Sequence, residues 1–270
     1  MYRFDNANTA TVEKLIAKTS VSISKTSLST GMLMMLDYAR QNSYALSEST
    51  QVMASRYGNA LEVAYNIYIN ENLSGLFADV ERYTTGNTLL RTIKVLRKLH
   101  NDNMRDHDVF VEGYELLLSY KMDKAYIENI ITFNDRSINL PDSIVILKNG
   151  KIRIAEAKTS GENDNSSVSK NLDKIRFDTE NSAVAPWKES KANVERALII
   201  TATELNSRGI STTASRWSNL IAKLGENIAV YANEEAFNWL TCAGTNSLNY
   251  TKYQNELLLP TAIAVVKKSL

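Results

Sequence analysis

The chain has 270 residues, 44% of them hydrophobic, enough for one large domain or two small ones with a substantial core. Thirty-one basic residues stand against thirty acidic ones, so the net charge of +1 sets up no global field, and a nucleic-acid partner would need a local basic face. One cysteine and two histidines exclude an internal disulfide, a cysteine-rich metal site and a zinc centre built on several histidines.

The opening stretch, MYRFDNANTATVEKL, carries acid and amide groups and no apolar signal core. No apolar run approaches the roughly 20 residues that a bilayer-spanning helix needs. The expectation is a cytoplasmic protein of a prokaryotic cell with no membrane partner.

Residues 1–124 read mainly as helix. Thr9 and Glu13 resemble a capped start leading into Val12, Leu15 and Ile16. Residues 20–30 are rich in serine and threonine and read as a connector. Methionine and leucine at helical spacing follow at 31–40, and a further helix is expected at 57–72. Residues 88–101 predict a basic amphipathic helix carrying Arg91, Lys94, Arg97 and Lys98, whose ordinary reading is a solvated face and whose functional reading is a DNA contact. His107 and Asp108 read as a surface loop.

From Ala125 the alphabet changes. Residues 126–133 are β-rich and predict a strand, followed by strands at 143–147 and 151–157. Asn149-Gly150 between the last two is a hairpin signal, because both residues tolerate positive φ. The polar segment TSGENDNSSVS reads as a loop, and a helix is expected near 170–175. Residues 197–202 (ALIITA) form an apolar run suited to a strand buried on both faces. Helix at 212–224, strand at 228–231 and helix at 234–240 complete the pattern. The expected fold is α/β (α+β): a mixed central sheet flanked by helices. A mainly helical region at 1–124 would pack on a core at 125–270, in one compact unit.

The ends of the hairpin gather charge where a sheet needs none. Asp142 follows Pro141, and Glu156-Ala157-Lys158 closes the second strand. Two carboxylates from adjacent strands can share a hard divalent cation, which neutralises phosphoryl charge and activates water. Glu156 and Lys158 lie two residues apart and so share a strand face. Register decides whether Asp142 joins them. A two-residue turn at Asn149-Gly150 pairs 142 with 157 and points Asp142 away. A three-residue turn, or a bulge, shifts the pairing by one and brings the two carboxylates to one face. An irregular hairpin is therefore expected. The plain alternative is a surface hairpin with charges in water.

Pro-Asp, an apolar strand, Asn-Gly, a second β-branched strand and Glu-x-Lys together resemble the PD-(D/E)xK nuclease motif. That superfamily includes most type II restriction endonucleases, along with resolvases and repair and phage nucleases. The resemblance covers about twenty residues directly, and the later order of strands and helices agrees with the family core. It implies that Asp142 and Glu156 bind Mg²⁺, with the backbone carbonyl of Ala157 as a further ligand, and that Lys158 assists the attacking water. It also implies an additional glutamate on a preceding helix, for which Glu62 is the candidate and Glu112 and Glu115 compete.

DNA contacts are expected from the loop after Lys158, through Thr159, Ser160, Asn163 and Asn165, and from Lys170, Lys174 and Arg176 beyond it. Arg208 and Arg216 flank Ser211-Thr212-Thr213, a helix start that suits a bound phosphate. No Walker loop and no G-x-S-x-G elbow occurs. The resemblance implies a sequence-specific, Mg²⁺-dependent type II restriction endonuclease acting on double-stranded DNA as a homodimer. A structure-specific or repair nuclease on the same core, and an inactive DNA-binding protein with this fold, are the alternatives.

Overall fold

A computed structural model describes residues 69–73, 77–133, 136–158, 172–200, 212–224 and 227–242. The chain divides into two units. One comprises Phe77–Glu156 and Glu162–Ala197, and the other comprises Met1–Leu76, Ala157–Gly161 and Leu198–Leu270.

In the first unit, strand β1 (Val80–Thr84) leads at once into helix α1 (Gly86–Asn101). Thr85 caps that helix: its hydroxyl accepts from the backbone N–H of Thr88 at 3.3 Å. Gly86, Leu89, Ile93 and Leu96 recur at helical spacing and form the buried stripe of α1. Gly86 is required by close approach. A Cβ on it would lie 2.3 Å from the carbonyl oxygen of Pro141, to which the Gly86 N–H donates at 3.0 Å. The start of α1 thus seats the residue before Asp142.

Helix α2 (Asp108–Ser119) begins at His107, whose Nδ1 accepts from the Val109 N–H at 3.1 Å. The residue read as part of a surface loop is a helix cap. Lys121 takes the left-handed conformation as the chain leaves α2. Trp187, fully buried, donates its indole N–H to the Tyr120 carbonyl at 2.7 Å and ties a distant segment to this exit.

Helix α3 (Lys124–Thr132) overturns the strand expected at 126–133. Its β-branched residues suggested a strand, but Ile127, Ile130 and Ile131 sit at i, i+3 and i+4 and are fully buried. Period outweighs intrinsic propensity here. Arg97 completes the helix by donating to the carbonyls of Ile130, Phe133 (3.1 Å) and Arg136 (3.0 Å). This arginine of the basic α1 face therefore serves as a C-terminal cap for α3, while Arg91, Lys94 and Lys98 are exposed.

Strands β2 (Ser143–Leu147) and β3 (Ile152–Lys158) pair antiparallel, and β1 pairs antiparallel with the other edge of β2. Every residue of β2 is buried, as expected of a strand covered on both faces. Strand β1 was not foreseen. It is short, with a register shift between Val80 and Arg82 and two exposed charged residues, Glu81 and Arg82, which obscure any alternating pattern. Strand β4 (Val194–Ile200) follows two short 3₁₀ turns. Residues 172 and 173 are helical before the chain turns, so the helix expected near 170–175 is brief where it is described.

The second unit contains helix α4 (Thr212–Leu224), strand β5 (Ala229–Ala232) and helix α5 (Asn233–Thr241). Their bounds agree closely with the sequence pattern. Trp217, Ile221, Phe237 and Leu240 are buried in it. Among the described residues the strands form one five-stranded sheet in the order β1-β2-β3-β4-β5, giving a mixed α/β architecture. Among the described residues, no helix is long and apolar enough to cross a membrane.

Candidate active site

The hairpin turn contains three residues, Lys148, Asn149 and Gly150. The Gly150 N–H donates to the Leu147 carbonyl at 2.8 Å, and the Leu147 N–H donates to the Lys151 carbonyl at 2.9 Å. Gly150 alone of the turn residues has positive φ, at 83°, the left-handed position that follows a tight turn in three-residue hairpins. The two-residue Asn-Gly turn is therefore replaced by a longer one, and the expected irregularity is present. Asn149 closes the turn with its side chain, accepting from the Lys151 N–H at 3.0 Å.

This turn sets the register. Ser143 pairs with Ala155, Ile144 with Ile154, Val145 with Arg153 and Ile146 with Ile152. Continued by one step, the pairing puts Asp142 across from Glu156, and cross-strand partners share a face. The rest of that face, Ile144, Ile146, Ile152 and Ile154, is buried and apolar. Two carboxylates thus end a dry strip of sheet, Asp142 half-buried and Glu156 only 2% exposed.

A buried carboxylate needs compensation. Lys174 supplies it: its ammonium donates to Glu156 Oε1 at 2.9 Å. The backbone beneath Lys174 is firmly held. Leu172 and Ile175 on either side are fully buried, and the Lys174 carbonyl accepts from the Ser182 hydroxyl at 3.0 Å. Arg196 donates to the Ile175 carbonyl at 2.8 Å and stacks over the Phe177 ring at 4.6 Å. Lys174, expected to track a DNA backbone, is a partner of Glu156, the proposed metal ligand. Arg176, expected in the same role, forks over Asp173 (3.3 Å) and Asp178 (3.1 Å).

The opposite face of β3 carries a second charged group. Glu195 of β4 accepts from Lys151 at 2.6 Å and from Arg153 at 2.8 Å. Burial works to raise its pKa, but the hydrogen bonds and charges of Lys151 and Arg153 prevail and hold the carboxyl below the ordinary glutamate range.

Ala157 is exposed on β3, and Lys158 is the last residue of that strand. Arg216 lies within α4. Glu112 and Glu115 are exposed on α2. Glu62, Thr159, Ser160, Asn163, Asn165, Lys170 and Arg208 lie outside the described residues. The interaction that sequence reasoning missed is Lys174–Glu156. The two residues are eighteen positions apart (156 to 174), with a loop between them and no periodic signal linking them.

The donor chemistry narrows the candidate ion. Among the described residues, no group of three or more histidine, cysteine, aspartate or glutamate side chains could hold a metal. Two carboxylates on one face suit Mg²⁺, which commonly binds through one or two carboxylates and retains several waters, better than a fully enclosed transition-metal site. Comparison with protein-family models, curated proteins and solved structures finds no match.

Proposed function

We propose that this chain is a Mg²⁺-dependent, sequence-specific endonuclease of double-stranded DNA, of the type II restriction class, on a restriction-endonuclease-like core. The observation that supports this reading best is the three-residue turn, whose register pairs Ser143 with Ala155 and, carried one step further, would set Asp142 across from the buried Glu156. A plain surface hairpin has no need of a carboxylate buried at the end of its apolar face.

In this reading Asp142, Glu156 and the Ala157 carbonyl hold the cation. When bound, the ion neutralises phosphoryl charge and lowers the pKa of a coordinated water. Glu156 is held in place by the pairing of β3 with β2, and Asp142 by the contact of Pro141 with the start of α1. Lys158 orients the attacking water, as the motif resemblance implies. Cleavage of both strands by one site per subunit makes a twofold homodimer on a palindromic sequence the matching assembly.

The test is incubation with unmethylated phage DNA, with Mg²⁺ or with EDTA, beside a Lys158→Ala variant. Discrete fragments that require Mg²⁺ and disappear in the variant are the expected result. Cutting confined to branched DNA would replace restriction with a structure-specific nuclease. Binding without cleavage of either substrate would leave only a DNA-binding protein.

A further inference from the structure

We infer that Lys174 is the exchangeable counter-ion of the carboxylate site: its ammonium holds the Glu156 oxygen that a divalent cation would take, so lysine and metal compete. The inference rests on the nuclease reading only for the role of Asp142 and Glu156 as metal ligands.

The geometry has two parts. Glu156 is 2% exposed, and its Oε1 lies 2.9 Å from the Lys174 ammonium. Removing one partner of such a pair is costly, so a divalent cation that displaces the lysine replaces a positive charge that the buried carboxylate already uses. The lysine side chain, by contrast, is 39% exposed. A lysine ammonium is strongly hydrated and sits on a flexible chain, which suits it to exchange. A fixed acid thus faces a movable base.

The backbone beneath that base does not move with it. Leu172 and Ile175 are buried, and Ser182 and Arg196 pin the carbonyls of residues 174 and 175. A displaced ammonium therefore stays within one side-chain length of Glu156. Arg153 and Lys151 differ in this respect, since both are engaged by Glu195.

Competition has a measurable sign. Mn²⁺ serves as a paramagnetic substitute for Mg²⁺, and its binding to the full-length chain can be followed by electron paramagnetic resonance without DNA or turnover. Lys174→Met keeps the stem and removes the charge. If the lysine blocks the site nine-tenths of the time, the variant should tighten the apparent Mn²⁺ Kd by about tenfold. Lys174→Arg should act the other way, because a guanidinium can hold a carboxylate through two hydrogen bonds and yields it less readily. Opposite shifts from Met and Arg cannot arise from general loss of folding. Equal Kd values for wild type and both variants, with binding abolished by Asp142→Asn, would overturn the inference and leave the metal site standing. Weaker binding in Lys174→Met would also overturn it, by making Lys174 a support of the site. No saturable Mn²⁺ binding in any of the proteins would remove both this inference and the metal-ligand reading of the hairpin.

Discussion

At each end of the β2–β3 hairpin a glutamate meets a lysine, yet in contrasting ways. Near the turn, Glu195 is about one-third exposed and accepts from both Lys151 and Arg153. At the open end, Glu156 is buried, stands across from a second carboxylate in the strand register, and is met by the ammonium of Lys174. In the first cluster two cations meet one anion near water, which describes a surface clasp of small energetic value. In the second a buried carboxylate meets a cation, and burying a charge costs stability unless it is paired. A charged cluster whose surroundings make it expensive is the better candidate for a role beyond packing.

The largest test of this contrast is activity. Glu156→Gln or Asp142→Asn should reduce DNA cleavage by at least about a hundredfold, the scale seen when one preorganised electrostatic contact is removed. Glu195→Gln should leave the cleavage rate near that of wild type. If both glutamates prove equally necessary, the contrast collapses.

Gly86→Ala sharpens the comparison without touching either cluster. The new methyl would meet the Pro141 carbonyl, so a destabilisation of about 1–3 kcal/mol is expected from overpacking. Displacement of Asp142 should then weaken Mn²⁺ binding more than it disturbs the Glu195 clasp. Chemical denaturation and metal titration of the same variant measure the two effects separately.

At the other end, Gly150→Ala forces a side chain into positive φ, with open space around it and so no steric clash beyond the backbone itself. The expected cost is about 1–2 kcal/mol, read as a lower denaturation midpoint. The smallest effect belongs to Glu195→Gln. Because the folded pKa of Glu195 is depressed, its stabilisation is fully present above the ordinary glutamate range, near 4.3, and is lost as pH falls through the folded value. The variant should therefore be less stable by under about 1 kcal/mol at neutral pH, and its gap to wild type should close in acid. A gap that widened as pH fell would refute the assignment.

Local pattern in the sequence was enough for the hairpin strands, β4, β5, α4 and α5, because each combines a clear apolar period with flanking turn signals. It failed at α3, where isoleucines favoured a strand by composition while their spacing favoured a helix. It failed at β1 because a five-residue edge strand with Glu81 and Arg82 outward offers little alternation to detect. For the site, Pro-Asp and Glu-x-Lys marked the carboxylates, and the register argument identified the turn length on which their convergence depends. Neither the Lys174 pairing nor the Gly86 contact was legible. Both join residues far apart in the chain, and the chemistry of each depends on tertiary proximity.

Arg97 and Gly86 lie eleven residues apart on one helix (86 to 97), about 16 Å along its axis. They engage the carbonyls of Arg136 and Pro141, five residues apart (136 to 141), a distance that extended chain covers in about 17 Å. The approach to Asp142 is thus a cord tied at two pegs on one helix. One residue inserted between the pegs would loosen it, and the aspartate would begin to wander while both helices remained intact.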